Sequence, residues 1–210
     1  MDLEVPDLSG IGAIQKKTDN RFLNFYEFEA IHRDGQKAPY YVASRAKDVG
    51  HLKAVTRENR PDGVILCGFY GEARDKVVLV RQYRYPIGDY VYELPSGLVE
   101  AGEDVLAAGI REMYEETGLS FTPVDAGCYS RPFFTTVGMT DESCSTVFGF
   151  CAGEPTNIHQ EDSEEIQVVI ADRAECQRIL EEENVAVSCA FALMLFLAGD
   201  GDPLAFLKKE

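Results

Sequence analysis

The chain has 210 residues, 45% of them hydrophobic, with 20 basic against 36 acidic side chains and a formal net charge of −16. A chain of this size can bury one real core, with room for a small appended lobe. A surface so acidic repels nucleic-acid backbones and anionic membranes, although a bound cation can reverse the sign inside a single pocket.

The chain opens Met1-Asp2-Leu3-Glu4, with neither the basic start nor the apolar stretch of a signal peptide, so none is expected. Arg21 to Arg33 and Ala38 to Arg45 are aromatic and β-branched runs around Asp34-Gly35. That dipeptide favours a tight hairpin turn, which predicts a two-stranded lobe. The run Phe22, Phe25, Tyr26 and Phe28 reads most simply as strand core. Lys47 to Arg60 is polar and ambiguous. The expected division is an N-terminal β lobe over 1–60 and a main domain over 61–210.

Gly63 to Tyr70 and Lys76 to Tyr83 predict a strand pair around the Gly71 to Asp75 turn, and Tyr90 to Leu94 a short strand. The period then changes. From Asp104 to Thr117, the residues Leu106, Ile110, Met113 and Thr117 recur on one helical face, predicted to face the core, and Gly118 follows as a left-handed stop. Further strands are predicted near Thr122 to Tyr129, Cys144 to Cys151 and Ile166 to Ile170, then helices over Asp172 to Glu183 and Val185 to Ala198. The uncharged run Val185 to Gly199 is shorter than the about 20 apolar residues a bilayer requires and reads as a buried helix. Strands on both sides of one central helix predict an α+β or layered α/β/α domain. The six cysteines form no C-x-x-C pair and lie mostly in apolar runs, as expected of reduced thiols in a cytoplasmic protein.

The chemistry is concentrated between Gly97 and Leu119. Gly97 is followed by Glu103, and after seven residues by Arg111-Glu112-Met113-Tyr114-Glu115-Glu116-Thr117-Gly118-Leu119. At about 100° per residue, Glu112 and Glu116 project almost together with Glu115 nearby, on a face turned away from the Leu106/Ile110/Met113 stripe. Like charges at that spacing destabilise a helix by about 0.2–0.5 kcal/mol per pair, so the cluster is a liability unless a cation sits in it. Hard oxygen donors suit Mg²⁺ or Mn²⁺, which also bind phosphates. Arg111 on the flank can hold a carboxylate through a two-pronged pair. Gly97 and Gly102 let the preceding loop bring backbone carbonyls close to the same ions. The alternative is an ordinary solvated acidic helix, which suffices for Glu115-Glu116 alone but not for the whole pattern.

This stretch resembles the Nudix box, Gly-x5-Glu-x7-Arg-Glu-U-x-Glu-Glu-x-Gly-U with U aliphatic, at every fixed position. The resemblance implies an α/β/α sandwich around a mixed sheet, and a metal-dependent hydrolase that cuts the pyrophosphate link of a nucleoside diphosphate joined to another group. It implies metal ligation by Glu112 and Glu116, with Glu115 close behind, by Glu103 directly or through water, and by the Ser96 carbonyl. Arg111 is implied as the residue that orients the glutamates.

Outside the box, Val80-Arg81-Gln82-Tyr83-Arg84, Tyr92-Glu93-Leu94-Pro95-Ser96-Gly97 and Gly138-Met139-Thr140-Asp141-Glu142 resemble segments of ADP-ribose and ADP-sugar pyrophosphatases. Glu161-Asp162-Ser163-Glu164-Glu165-Ile166 resembles their acidic catalytic loop. These likenesses imply a phosphate contact for Arg84, a substrate contact for Glu142 and a general base in the loop. Glu164 is the candidate base by its spacing to Ile166, with Glu161 and Asp162 also open. In the resembled group the N-terminal lobe is exchanged across a homodimer and supplies adenine contacts, which makes Phe28 or Tyr26 a candidate for stacking on a base. Val137 stands where those proteins carry proline before Gly138, which leaves the distal sugar open. ADP-ribose is the expected substrate. UDP- or GDP-sugars, a dinucleotide such as NADH, and a nucleotide sensor without catalysis are the alternatives.

Overall fold

A computed structural model describes residues 10–160, 165–199 and 201–207. In chain order the elements are β1 (Ile11–Lys16), β2 (Asn24–Ile31), β3 (Lys37–Ser44), a single-turn helix α1 (Lys53–Thr56), β4 (Gly63–Tyr70), β5 (Lys76–Arg84), β6 (Asp89–Glu93) and β7 (Ser96–Leu98). There follow α2 (Val105–Thr117), β8 (Ser120–Pro123), β9 (Phe133–Phe134), β10 (Ser143–Ala152), β11 (Ile166–Ala171), α3 (Arg173–Glu182) and α4 (Val187–Ala198). The chain divides into two compact units, Met1–Asp62 with Pro132–Cys144, and Gly63–Arg131 with Ser145–Glu210.

The first unit is an antiparallel sheet in the order β1-β2-β3. The predicted hairpin is present, with Gly35 at φ 82° in its turn, and β1 adds a strand that the sequence reading did not anticipate. Along β2 the pleat buries Asn24, Tyr26 and Phe28 and exposes Phe25. Tyr26 and Phe28 join Leu52 in a small core, and the Tyr26 hydroxyl donates to the Ala46 carbonyl at 2.6 Å. The segment 132–144 is tied to this sheet. Ala43 N–H donates to the Met139 carbonyl at 2.9 Å and the Tyr40 hydroxyl to the Gly138 carbonyl at 2.6 Å.

The second unit is a three-layer α/β/α sandwich on a mixed sheet. Its strands run β11-β5-β4-β10-β8, with β6 on β5 and β7 on β4. Because side chains alternate across a strand, each central strand feeds two cores. Val64, Leu66, Val78 and Val147 face α2, where they meet Ala108 and Met113. Cys67, Phe69, Val77 and Leu79 face the other way, toward Cys176 and Ile179 of α3 and Cys189, Leu193 and Phe196 of α4. Among the described residues no helix is long and apolar enough to cross a membrane.

Two local expectations are corrected. The strand expected near Thr122 to Tyr129 is β8 at Ser120–Pro123, and Gly127–Ser130 forms a 3-10 turn. The face of α2 predicted to be buried is also wrong at two positions. Leu106 and Ile110 are each 45% exposed, whereas Ala108, Gly109, Met113, Glu116 and Thr117 are buried. The cause is close approach. A Cβ on Gly109 would lie 3.1 Å from Leu66 Cδ2 and 3.3 Å from Val147 Cγ2, so the smallest residues of the helix face the sheet. The small face wins over the larger apolar one because it permits a tighter helix–sheet contact.

Candidate active site

The site is built on a strand, a loop and a helix that are contiguous in sequence. β7 hydrogen-bonds alongside β4, with Ser96 opposite Ile65 and Gly97 opposite Val64. The chain then turns through Gly102, whose φ of 83° is a left-handed conformation that suits glycine. Asp104 starts α2 as its N-cap, accepting from Leu106 N–H at 2.9 Å and Ala107 N–H at 3.2 Å. Gly118 ends the helix in the left-handed region at φ 73°, its N–H bonded to the Tyr114 carbonyl at 2.8 Å.

This arrangement places Ser96, Gly97, Leu98, Val99 and Glu100 along one side of a cleft of ≈ 510 Å³, with Arg111, Glu112, Glu115, Glu116, His159 and Gln160 also lining it. Gly97 has a specific reason to be glycine. A Cβ there would fall 1.9 Å from the Glu112 carboxyl carbon and 2.1 and 2.2 Å from its oxygens. The carboxylate of Glu112 therefore lies over bare backbone, in space that any other residue would fill. Glu116 is 5% exposed, and its Oε2 accepts from Ser96 N–H at 3.1 Å. It is thus on the buried side of α2, not turned away from the core.

Arg111 gathers the carboxylates. It holds Glu103 with two prongs, Nε to Oε1 and Nη2 to Oε2, both 2.9 Å. Nη1 reaches Glu112 Oε1 at 2.8 Å and Glu115 Oε2 at 2.9 Å, and Nη2 also donates to the Leu98 carbonyl at 3.0 Å. Beside this guanidinium, and with the Glu100 N–H on its Oε2, Glu103 is held down at about 2. The same carboxylates push Arg111 further above its ordinary value, Glu103 foremost.

The donor set suits a hard divalent cation: four carboxylates and an accessible loop backbone on one cleft. Among the described residues no three such side chains are posed to hold an ion; Glu103, Glu112 and Glu115 are bonded to Arg111 and Glu116 to Ser96 N–H.

The remaining expected residues are placed as follows. Arg84, at the end of β5, pairs through Nε with Glu93 Oε2 at 2.6 Å. Glu142 is in the first unit, where its Oε1 accepts from Arg45 Nε at 3.3 Å and its Oε2 from the Thr135 hydroxyl at 3.0 Å. Phe28 is 6% exposed and packs in the first unit's core with Tyr26, whereas Phe22 and Phe25, expected as strand core beside them, are 63% and 48% exposed. Glu161, Asp162 and Glu164 lie outside the described residues. Glu165, next to them, meets the Tyr90 hydroxyl through Oε1, and its carbonyl accepts from Tyr83 N–H at 3.3 Å.

Sequence reading missed His159 and Gln160. The His159 ring stacks on Tyr114 of α2 at 4.4 Å between centroids and 28° between planes, and Gln160 Nε2 donates to the Glu116 carbonyl at 2.7 Å. No local pattern marks them; their one signal is that they directly precede the acidic run.

Comparison with known proteins fits this geometry. Residues 59–186 match the model of the NUDIX domain. The chain is 34% identical over 137 residues to a putative nudix hydrolase 2 of Caenorhabditis elegans, covering 60% of each protein. It is 46% identical over 46 residues to an ADP-ribose pyrophosphatase of Saccharomyces cerevisiae, covering 22% of this chain and 20% of that one. The matched stretches thus span less than two thirds of either relative. A crystal structure of an ADP compounds hydrolase superposes with a TM-score of 0.62 at 16% identity, covering 90% of this chain and 91% of that one.

Proposed function

Because the chain belongs to the Nudix family, we propose that it hydrolyses the pyrophosphate bond of a nucleoside diphosphate linked to another group, with ADP-ribose as substrate and AMP and ribose 5-phosphate as products. The observation that carries this reading is the acidic cleft, where the spaced glutamates of the box meet the Ser96–Glu100 backbone. The choice of ADP-ribose draws on the names of the yeast relative and the structural neighbour and on the segments around Arg84 and Glu142.

In this reading Glu112 and Glu116, with Glu115, Glu103 and the Ser96 carbonyl, hold Mg²⁺, for which Mn²⁺ can substitute. The ion supplies Lewis acidity toward the phosphoryl oxygens and lowers the pKa of attacking water. Arg111 keeps Glu103, Glu112 and Glu115 gathered and holds Glu103 ionised. Arg84, a fork donor beside Glu93, is the proposed diphosphate contact. Glu164 is the proposed proton acceptor, and Glu142 a proposed substrate contact. A homodimer is proposed with the 1–60 lobe at its interface.

The test is phosphate release, coupled to a phosphatase, over ADP-ribose, ADP-glucose, UDP-glucose, GDP-mannose, NADH and diadenosine polyphosphates. ADP-ribose is expected to give the highest kcat/KM. A value at least about tenfold below that of a UDP- or GDP-sugar overturns the substrate, because a pocket that hydrogen-bonds adenine discriminates by more than about 1.4 kcal/mol.

A further inference from the structure

The C-terminal turn of a helix leaves carbonyls without partners inside the helix. In α2 that turn carries Glu115 and Glu116; Gly118 N–H takes the Tyr114 carbonyl, and the Glu116 and Thr117 carbonyls are taken up by one distant segment. Thr156 N–H donates to the Thr117 carbonyl at 2.8 Å, and the Gln160 side chain to the Glu116 carbonyl at 2.7 Å. Between these two bonds, His159 stacks on Tyr114 at 4.4 Å. Gly118 makes room for this contact, since a Cβ there would lie 2.2 Å from Thr156 Cγ2. The segment thus grips the last turn of the helix at three points, and two of its residues line the acidic cleft.

We infer that Gln160 and His159 are positioning residues: they fix the last turn of α2, and through it Glu115 and Glu116, in the geometry the reaction requires. Gln160 acts through the Glu116 backbone and His159 through the face of Tyr114, so neither need touch the substrate. A frayed last turn leaves the carboxylates present but poorly aimed, and small misplacements of catalytic groups are costly in rate. This inference rests on the proposed metal-dependent hydrolysis.

The test compares the full chain with Gln160→Glu, His159→Ala and His159→Phe. For each, kcat, KM for ADP-ribose, the Mg²⁺ concentration for half activation and Tm are measured. Gln160→Glu keeps the shape but loses the donor. It is expected to lower kcat by about 2- to 13-fold, the worth of one such bond, and to raise the Mg²⁺ requirement, with KM within about twofold and little change in Tm. His159→Ala is expected to lose about 2- to 10-fold in kcat, and His159→Phe, which keeps a ring on Tyr114, to recover most of it. Wild-type kcat and Mg²⁺ requirement in both Gln160→Glu and His159→Ala overturn the inference. So does an effect confined to KM, which marks a substrate contact, or a His159→Phe enzyme as slow as His159→Ala. If the wild-type chain itself releases no phosphate with Mg²⁺ from any of the nucleotides above, the proposed function fails first and takes this inference with it.

Discussion

Two helices of the second unit, α2 and α4, are made of opposite materials. α2 carries Arg111, Glu112, Glu115 and Glu116, buries the carboxylate-bearing Glu116, and leaves Leu106 and Ile110 half exposed. α4 has no charged residue from Val187 to Ala198, buries Cys189, Leu193 and Phe196, and leaves Phe191, Met194 and Leu195 exposed. In both, apolar character fails to say which face is inside. What decides is contact with the sheet, closest at Gly109 in α2 and made by Cys189, Leu193 and Phe196 in α4. The two also differ in what burial accomplishes. A buried Leu193 needs only neighbours to touch, whereas a buried Glu116 needs partners, and it finds one in Ser96 N–H. Glu116 is the residue on which the proposed chemistry draws, whereas the side chains that α4 buries pack against the sheet.

Substitutions in the two helices should therefore separate turnover from stability. The largest effect on turnover is expected from Glu116→Gln, which keeps the volume and an acceptor for Ser96. Its kcat should fall by at least about 100-fold while circular dichroism shows an intact fold; near-normal turnover with Mg²⁺ removes Glu116 from the metal set. Gly97→Ala comes next. Its Cβ collides with the movable end of Glu112, so the carboxylate is pushed aside at little cost to folding. A drop of about 10- to 100-fold in kcat at nearly unchanged Tm is expected, and unaltered kinetics would show that the position of Glu112 over Gly97 is unimportant.

Leu193→Ala in α4 should do the reverse. Loss of a fully buried leucine costs about 2–5 kcal/mol in urea unfolding, while kcat per folded molecule stays the same. A kcat loss without destabilisation would give α4 a part in the chemistry. The smallest effects concern thiols. Burial pushes Cys67, Cys151, Cys176 and Cys189 up to about 12 and Cys144 up to about 11, so they stay neutral thiols near pH 8. Cys128 is exposed and should react first with a thiol-specific dye, the buried thiols only on unfolding, with turnover unaffected by labelling. Fast labelling of several thiols in the folded chain would contradict the cores described for the second unit.

The same contrast explains what was readable in the sequence. The box is contiguous, so Gly97, Glu103, Arg111, Glu112, Glu115 and Glu116 stand out together in the sequence, and Asp104 and Gly118 bound the helix through local backbone chemistry. β4, β5, β10, β11, α3 and α4 also carry clear local patterns. The orientation of α2 was not legible, because Leu106 and Ile110 look like core until Gly109 is seen against Leu66 and Val147. β7 was hidden because it is only three residues long and exists through pairing with β4. His159 and Gln160 were hidden for the same kind of reason: Gln160 meets Glu116 across 44 positions of sequence, a tertiary contact with no periodic trace.

In the proposed function the carboxylates on α2 hold the ion on which pyrophosphate cleavage depends. This is tested most directly by titrating Mn²⁺ into the wild-type, Glu112→Gln and Glu116→Gln chains, reading free Mn²⁺ by electron paramagnetic resonance and ADP-ribose hydrolysis in the same samples. Turnover in the wild type is expected to rise in step with bound Mn²⁺, and each variant to lose at least about tenfold in Mn²⁺ affinity, the lower end of what losing even an outer-shell partner costs. Equal Mn²⁺ binding by all three chains, or hydrolysis that persists in excess EDTA, would contradict it.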